Sequence, residues 1–233
     1  MKKYIPLFFI TLMLFGCALK APEPFPLNPE QAETIYKLNI RNKNLVNAKG
    51  FAKVELRETK KKPMSARCAF AYALPDKIRI TLINNVNMPI VNIISDGYYL
   101  LYHDLQTDRK YKKKIKENNI VAELPVSISR LISLMSGHAG IKSENIKKYI
   151  SNNQQDIIIL KDNTGITVNK KDMSIIKIKE NEKDVEIKDY KKIGDYLLPY
   201  KIVSTEPKKN ASITIERYET NANINNAIFN TGD

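Results

Sequence analysis

Tryptophan is absent from the 233 residues, histidine occurs twice, cysteine twice and glycine eight times. Two cysteines cannot build a disulfide framework, and so few glycines in so long a chain exclude collagen-like and low-complexity classes. Two histidines beside one internal cysteine do not make a zinc cluster, and neither HExxH nor a paired CxxC occurs. Gly-x-Ser-x-Gly and phosphate-cradling glycine loops are missing too. His103 and Asp104 are adjacent, but neighbours on a strand point to opposite faces. No catalytic residue, metal site or cofactor is therefore expected. No stretch reaches the 18 consecutive apolar residues of a membrane-spanning helix.

What the chain does contain is 43% hydrophobic residues, enough for a real core, and a net charge of +13. Such a balance would ordinarily suggest nucleic acid. The first seventeen residues argue against it. Lys2 and Lys3 precede an apolar run from Tyr4 to Phe15 that is too short to span a bilayer and suits a signal peptide. It ends in Leu14-Phe15-Gly16-Cys17, which resembles a bacterial lipobox. The resemblance implies removal of residues 1–16 and a covalent lipid on Cys17, with three acyl chains that hold the protein on a membrane without crossing it. Ala18, rather than Asp, follows the cysteine, and by likeness to enteric lipoproteins this directs the protein to the outer membrane, facing the periplasm. There its cationic surface meets anionic lipid and not nucleic acid.

Residues 17–27 carry Pro22, Pro24 and Pro26 and read as an extended tether. Asn28-Pro29-Glu30-Gln31 is a helix start with a capping Asn and a reciprocating Gln, and the helix is expected to end before Gly50. The period then changes to two. Ala52, Val54 and Leu56 begin a series of hairpin strands, of which Pro89 to Ser95, Asp96-Gly97 and Tyr98 to His103 give the clearest signal. Cys68 alternates with Ala66, Phe70 and Tyr72, as a buried strand cysteine would. An apolar helix is expected over Leu124–Met135 and a short one around Glu144–Ile150, with strands resuming to Tyr218.

The whole reads as one α+β domain over residues 28–230, an unclosed antiparallel barrel of about eleven strands with a lid of two or three helices. Several strands, such as Ile90 to Ile94 and Ile157 to Leu160, are apolar on both faces, and helices over a curled sheet would leave an interior that need not be filled.

The lipobox, the capped helix, Phe51-Ala52-Lys53-Val54, Leu74-Pro75-Asp76-Lys77-Ile78-Arg79-Ile80, Ser95-Asp96-Gly97 and Leu124-Pro125 follow one another in an order that resembles the LolA/LolB-like lipoprotein carriers. The resemblance implies a cavity for lipoprotein acyl chains. Candidates to line it are Ile78, Ile80, Leu82, Leu100, Ile128, Leu131, Ile132 and Met135. The lipobox points to the anchored, receptor-like branch, in which an apolar loop enters the membrane; here Val86 and Met88, within Asn84–Met88, are the candidates. Implied partners are acylated lipoproteins, outer-membrane lipids and a periplasmic carrier, met by a monomer. A structural or assembly lipoprotein and an envelope-stress sensor remain open on the same fold.

Overall fold

The computed structural model describes residues 25–115, 120–121 and 124–232. The signal segment, Cys17 and most of the tether lie outside these residues. Helix α1 (Pro29–Ile40) begins as its sequence requires: Asn28 Oδ1 accepts from Gln31 N at 2.9 Å and Gln31 Oε1 from Asn28 N at 3.1 Å. It stops well short of Gly50 because Asn42 takes a left-handed φ of 56° and turns the chain, so Leu45 is buried from a loop and Val46 is exposed.

Then come β1 (Asn47–Glu58), β2 (Met64–Ala73), β3 (Lys77–Ile83), β4 (Pro89–Asp96), β5 (Tyr99–Asp104) and β6 (Arg109–Lys114). A short ribbon, β7 (Ile120–Val121) with β8 (Leu124–Ser127), leads into helix α2 (Ile128–Ser136). The second half holds β9 (Ile146–Ser151), β10 (Gln155–Leu160), β11 (Gly165–Asn169), β12 (Ile175–Glu180) and β13 (Lys183–Lys188). A second ribbon of β14 (Lys191–Ile193) and β15 (Tyr196–Leu198) precedes β16 (Lys201–Glu206) and β17 (Lys209–Thr220).

Thirteen strands form one antiparallel sheet in the order β6-β5-β4-β3-β2-β1-β17-β16-β13-β12-β11-β10-β9. Among the described residues β6 and β9 are its two edges, so the curled sheet does not close. Lysines dominate β6 and recur on β9, which blunts both edges against pairing with another chain.

Three expectations need correction. The described residues hold seventeen strands, not about eleven, because the ribbons are too short to show periodicity and Pro199 splits the expected strand 197–204 into β15 and β16. Residues 146–151 are a strand rather than a helix. Ile146 and Tyr149, three apart, mimic a helical turn, yet a register shift between Ile159 and Leu160 lets both face inward. Helix α2 begins at Ile128, four residues later than expected, since the residue before Pro125 favours extended backbone. Ser127 caps it, its Oγ accepting from Arg130 N at 3.3 Å, and Gly137 ends it at φ 69°.

Apolar residues on both faces of β4 and β5 are explained by the C-terminal tail. Ile94 and Leu101 point outward, opposite the inward Ile93 and Leu100, and are buried nonetheless. A 3₁₀ turn at Asn226–Phe229 packs on the outer face of β3 and β4, burying Phe229, while Thr231 Oγ1 donates to Asp96 Oδ2 at 2.7 Å. The covering is thus divided between helices inside and a tail outside. The described residues of the main core run from Ile35 onward with Phe25 and Leu27 packed against them, so a chain beginning at Ala18 retains every one of them.

Candidate functional site

Inward side chains follow the registers in continuous rows. One runs Tyr149–Ile158–Ile166–Ile178–Val185 across the second half and fills it with branched side chains. The first half differs. Its wall strands β1 and β2 carry Ala52, Ala66 and Cys68 on the inner face, with Ala52 opposite Cys68 and Ala66 opposite Val54. Small residues there leave a gap that α2 does not reach down to fill, a cavity of about 530 Å³.

Val54, Leu56 and Ile213 form one wall, Phe70, Ile80, Leu82, Ile93 and Tyr102 another, and Leu131 and Met135 of α2 look into it. At the β1–β2 turn Glu58, Lys61, Lys62 and Met64 form its mouth. Burial pushes the Cys68 thiol up to about 12, which keeps it protonated and unreactive within the wall.

Of the eight cavity candidates, Ile80, Leu82, Leu131 and Met135 line the space. Ile78, Leu100, Ile128 and Ile132 do not; they are buried in the core around it. On α2 the pairs Leu131/Met135 and Ile128/Ile132 are each four apart, and only the first pair meets the void. Sequence reasoning missed Ala52, Ala66 and Cys68 as cavity-makers, and the signal available was their small size at alternate positions.

The helix over the cavity is fixed at both ends. Near its start Arg130 donates to Glu180 Oε1 from Nη2 at 2.6 Å and from Nε at 3.1 Å. At its end Asn42 Nδ2 donates to Ser136 O at 2.8 Å and Arg41 Nη2 to Gly137 O at 3.0 Å. Asn39 and Ile141 exchange two further bonds of 2.7 and 2.9 Å. The residues closing α1 therefore hold the lid, which is tied to the second half of the sheet by the Arg130–Glu180 ion pair and by Tyr218 OH, which donates to Met135 O at 3.1 Å.

Val86 and Met88 stand at the end of the sheet where the cavity opens, since the β1–β2 and β3–β4 turns share one end of an antiparallel run. Asn84 organises their loop: its Oδ1 accepts from Val86 N at 3.0 Å and Met88 N at 2.9 Å, and its N–H donates to Met88 O at 2.9 Å. With the backbone satisfied internally, Val86 and Met88 are left 69% and 60% exposed, and Met64 at the mouth 66%. Three apolar side chains facing water at one end of the molecule mark a contact surface.

Neither histidine joins this site. His103 Nε2 lies 2.8 Å from Asp108 Oδ1 at the β5–β6 turn, and His138 Nδ1 2.9 Å from Ser136 Oγ, where burial and then Arg41 hold its imidazole below the usual pKa. Among the described residues no group of His, Cys, Asp or Glu is placed to hold a metal ion. No helix there is long and apolar enough to cross a membrane.

No protein-family model matches the sequence, and no curated protein matches it. Solved structures do. A domain classed as an outer membrane lipoprotein-sorting protein from Vibrio parahaemolyticus superposes with a TM-score of 0.58 at 11% identity, over 85% of this chain and 94% of its own. A LolA superfamily protein from Nitrosomonas europaea gives 0.58 at 8% identity, over 85% and 96%. This chain has a LolA/LolB-like fold. A DUF1329 family protein from Desulfovibrio piger superposes equally well, with a TM-score of 0.58 at 9% identity over 85% and 96%. Identities this low carry the architecture alone, so what the cavity can hold follows from its own geometry.

Proposed function

We propose that this protein is an envelope lipoprotein that takes an acyl chain into the cavity between β1–β5 and α2, receives acylated lipoproteins at the outer membrane and helps insert them there. The cavity carries the reading: it is apolar along its walls, open at one end and roofed by a helix. At about 30 Å³ for a methylene, close to the share of a liquid water, 530 Å³ takes roughly one long acyl chain. Each methylene removed from water is worth about 0.8 kcal/mol. The relatives in fold, one of them classed with lipoprotein sorting, support the same reading. No covalent chemistry is assigned to the protein in this role.

Anchoring by lipid on Cys17 would place the mouth against the bilayer within reach of a tether of about ten residues, roughly 30 Å if extended. A periplasmic carrier would deliver the cargo, and the protein would act as a monomer. Mass spectrometry of the native protein should find a chain beginning at Cys17 with added lipid mass. An unmodified Cys17 in the membrane fraction would remove the anchor from this account.

The loop Asn84–Met88 would enter the membrane. Val86→Glu with Met88→Glu should change stability by less than about 1 kcal/mol, because both side chains face water. Binding of an acyl probe should persist, while transfer of bound lipoprotein into vesicles falls at least tenfold. Normal transfer by the folded double variant would remove the loop from the mechanism and leave the cavity in place.

A further inference from the structure

The mouth of the cavity is chemically unlike its walls. Glu58, Lys61, Lys62 and Ser65 stand at the β1–β2 turn end of a lining that is elsewhere made of apolar and aromatic side chains. Glu58 is already matched, with Lys61 Nζ 2.6 Å and Lys209 Nζ 3.9 Å from its carboxylate. The β16–β17 turn is tied alongside, because Thr59 N donates to Lys208 O at 3.0 Å. Lys60, Lys61, Lys62, Lys208 and Lys209 stand in or beside these two turns with two carboxylates, Glu58 and Glu206, whereas Arg57 lies on the opposite face of β1, 3.9 Å from Glu55. The second carboxylate, Glu206, is paired with Lys183 at 3.5 Å. An apolar cavity thus opens beneath an excess of positive charge.

An amphiphile whose chain fills the cavity must leave its headgroup at that opening. A charge held there has low-dielectric protein on one side, which strengthens its attraction to a fixed cation and focuses the field of the surrounding lysines. Resting on the acyl-binding reading above, we propose that the site selects amphiphiles with an anionic headgroup, a phosphate or carboxylate, held by Lys61 and Lys62. Ammonium groups on flexible stems suit this task, since each offers three donors and adapts to headgroups of different shape. Uncharged and zwitterionic amphiphiles of equal chain length gain only the apolar part of the interaction.

The test compares lysophosphatidic acid with lysophosphatidylcholine of the same acyl chain, each below its micellar concentration, by calorimetric titration of the chain beginning at Ala18. Lysophosphatidic acid should bind at least tenfold tighter, a difference of about 1.4 kcal/mol. Lys61→Gln with Lys62→Gln should bring the two affinities together by weakening only the anionic ligand. Salt provides an arm that needs no variant: at 1 M the screening length falls to about 3 Å, and the preference should shrink severalfold. Equal affinities in the unaltered protein would overturn headgroup selection and leave the acyl cavity standing. Failure of both ligands to bind would overturn the acyl reading itself. A preference for anionic lipid that appears only with vesicles, and not with monomeric ligands, would assign these lysines to membrane docking and overturn the proposal as well.

Discussion

Ala66→Phe should abolish binding of a fluorescent fatty-acyl probe, by at least a hundredfold in affinity, while the protein melts within a few degrees of the parent. Ala66 lies on β2 opposite Val54, half-buried, with its methyl group on the cavity wall. A benzyl group built there extends into empty space rather than into packed neighbours. Introducing a larger side chain into a filled core costs about 1–3 kcal/mol, but filling a void recovers part of that. The acyl chain loses the same space the ring gains. Leu131→Glu or Ile80→Glu would block the cavity too, yet both residues are buried and a buried charge without a partner costs stability directly. Their loss of binding would then be mixed with loss of fold. A probe titration beside a thermal melt separates the two for Ala66→Phe, and undiminished binding would show that the chain does not enter along β1 and β2.

The choice of Ala66 shows what the sequence could and could not convey. Alternation in β1 to β5 and the Asn28–Gln31 capping box are local patterns, and both became the expected elements. The order of hairpins is legible for the same reason. Where the cavity lies is not a local property. Ala52, Ala66 and Cys68 read as ordinary inward strand residues, and they border open space because Leu131 and Met135 of the facing helix line that space without filling it. Whether that happens depends on how Asn39, Arg41 and Asn42 hold a helix about a hundred residues away. Helical spacing likewise made α2 apolar all along one side without saying that Leu131 and Met135, and not Ile128 and Ile132, meet the void. By sequence alone Lys61 and Lys62 belong to a basic turn, Lys60-Lys61-Lys62-Pro63. Their place at a cavity mouth follows from the registers of two strand pairs, which no single segment encodes.

Gly50→Ala should cost at least about 3 kcal/mol, a large part of the roughly 5–15 kcal/mol that holds a domain folded. The reason is closeness, not a left-handed backbone. A Cβ at residue 50 would lie 1.9 Å from Arg217 O and 2.9 Å from Phe70 Cζ. The first obstacle is backbone of the paired strand and cannot rotate away. It stands where β17 carries an extra residue: Phe51 pairs with Arg217 and Ala52 with Ile215, so Glu216 has no opposite number. Such a bulge bends and twists its strand, and here it lies in the middle of the thirteen-stranded sheet, where the two halves curl towards each other. Moving Arg217 back would straighten the bend, and moving Phe70 would disturb its edge contact with Tyr218, whose ring centroid is 5.6 Å away. Phe70 also lines the cavity, so a surviving folded fraction should bind the acyl probe more weakly than the parent. Chemical denaturation should show a midpoint shifted far to lower denaturant. A Gly50→Ala variant that unfolds at nearly the parent's midpoint would mean that β17 can yield at Arg217 without loss, and that the curvature enclosing the cavity does not depend on this contact.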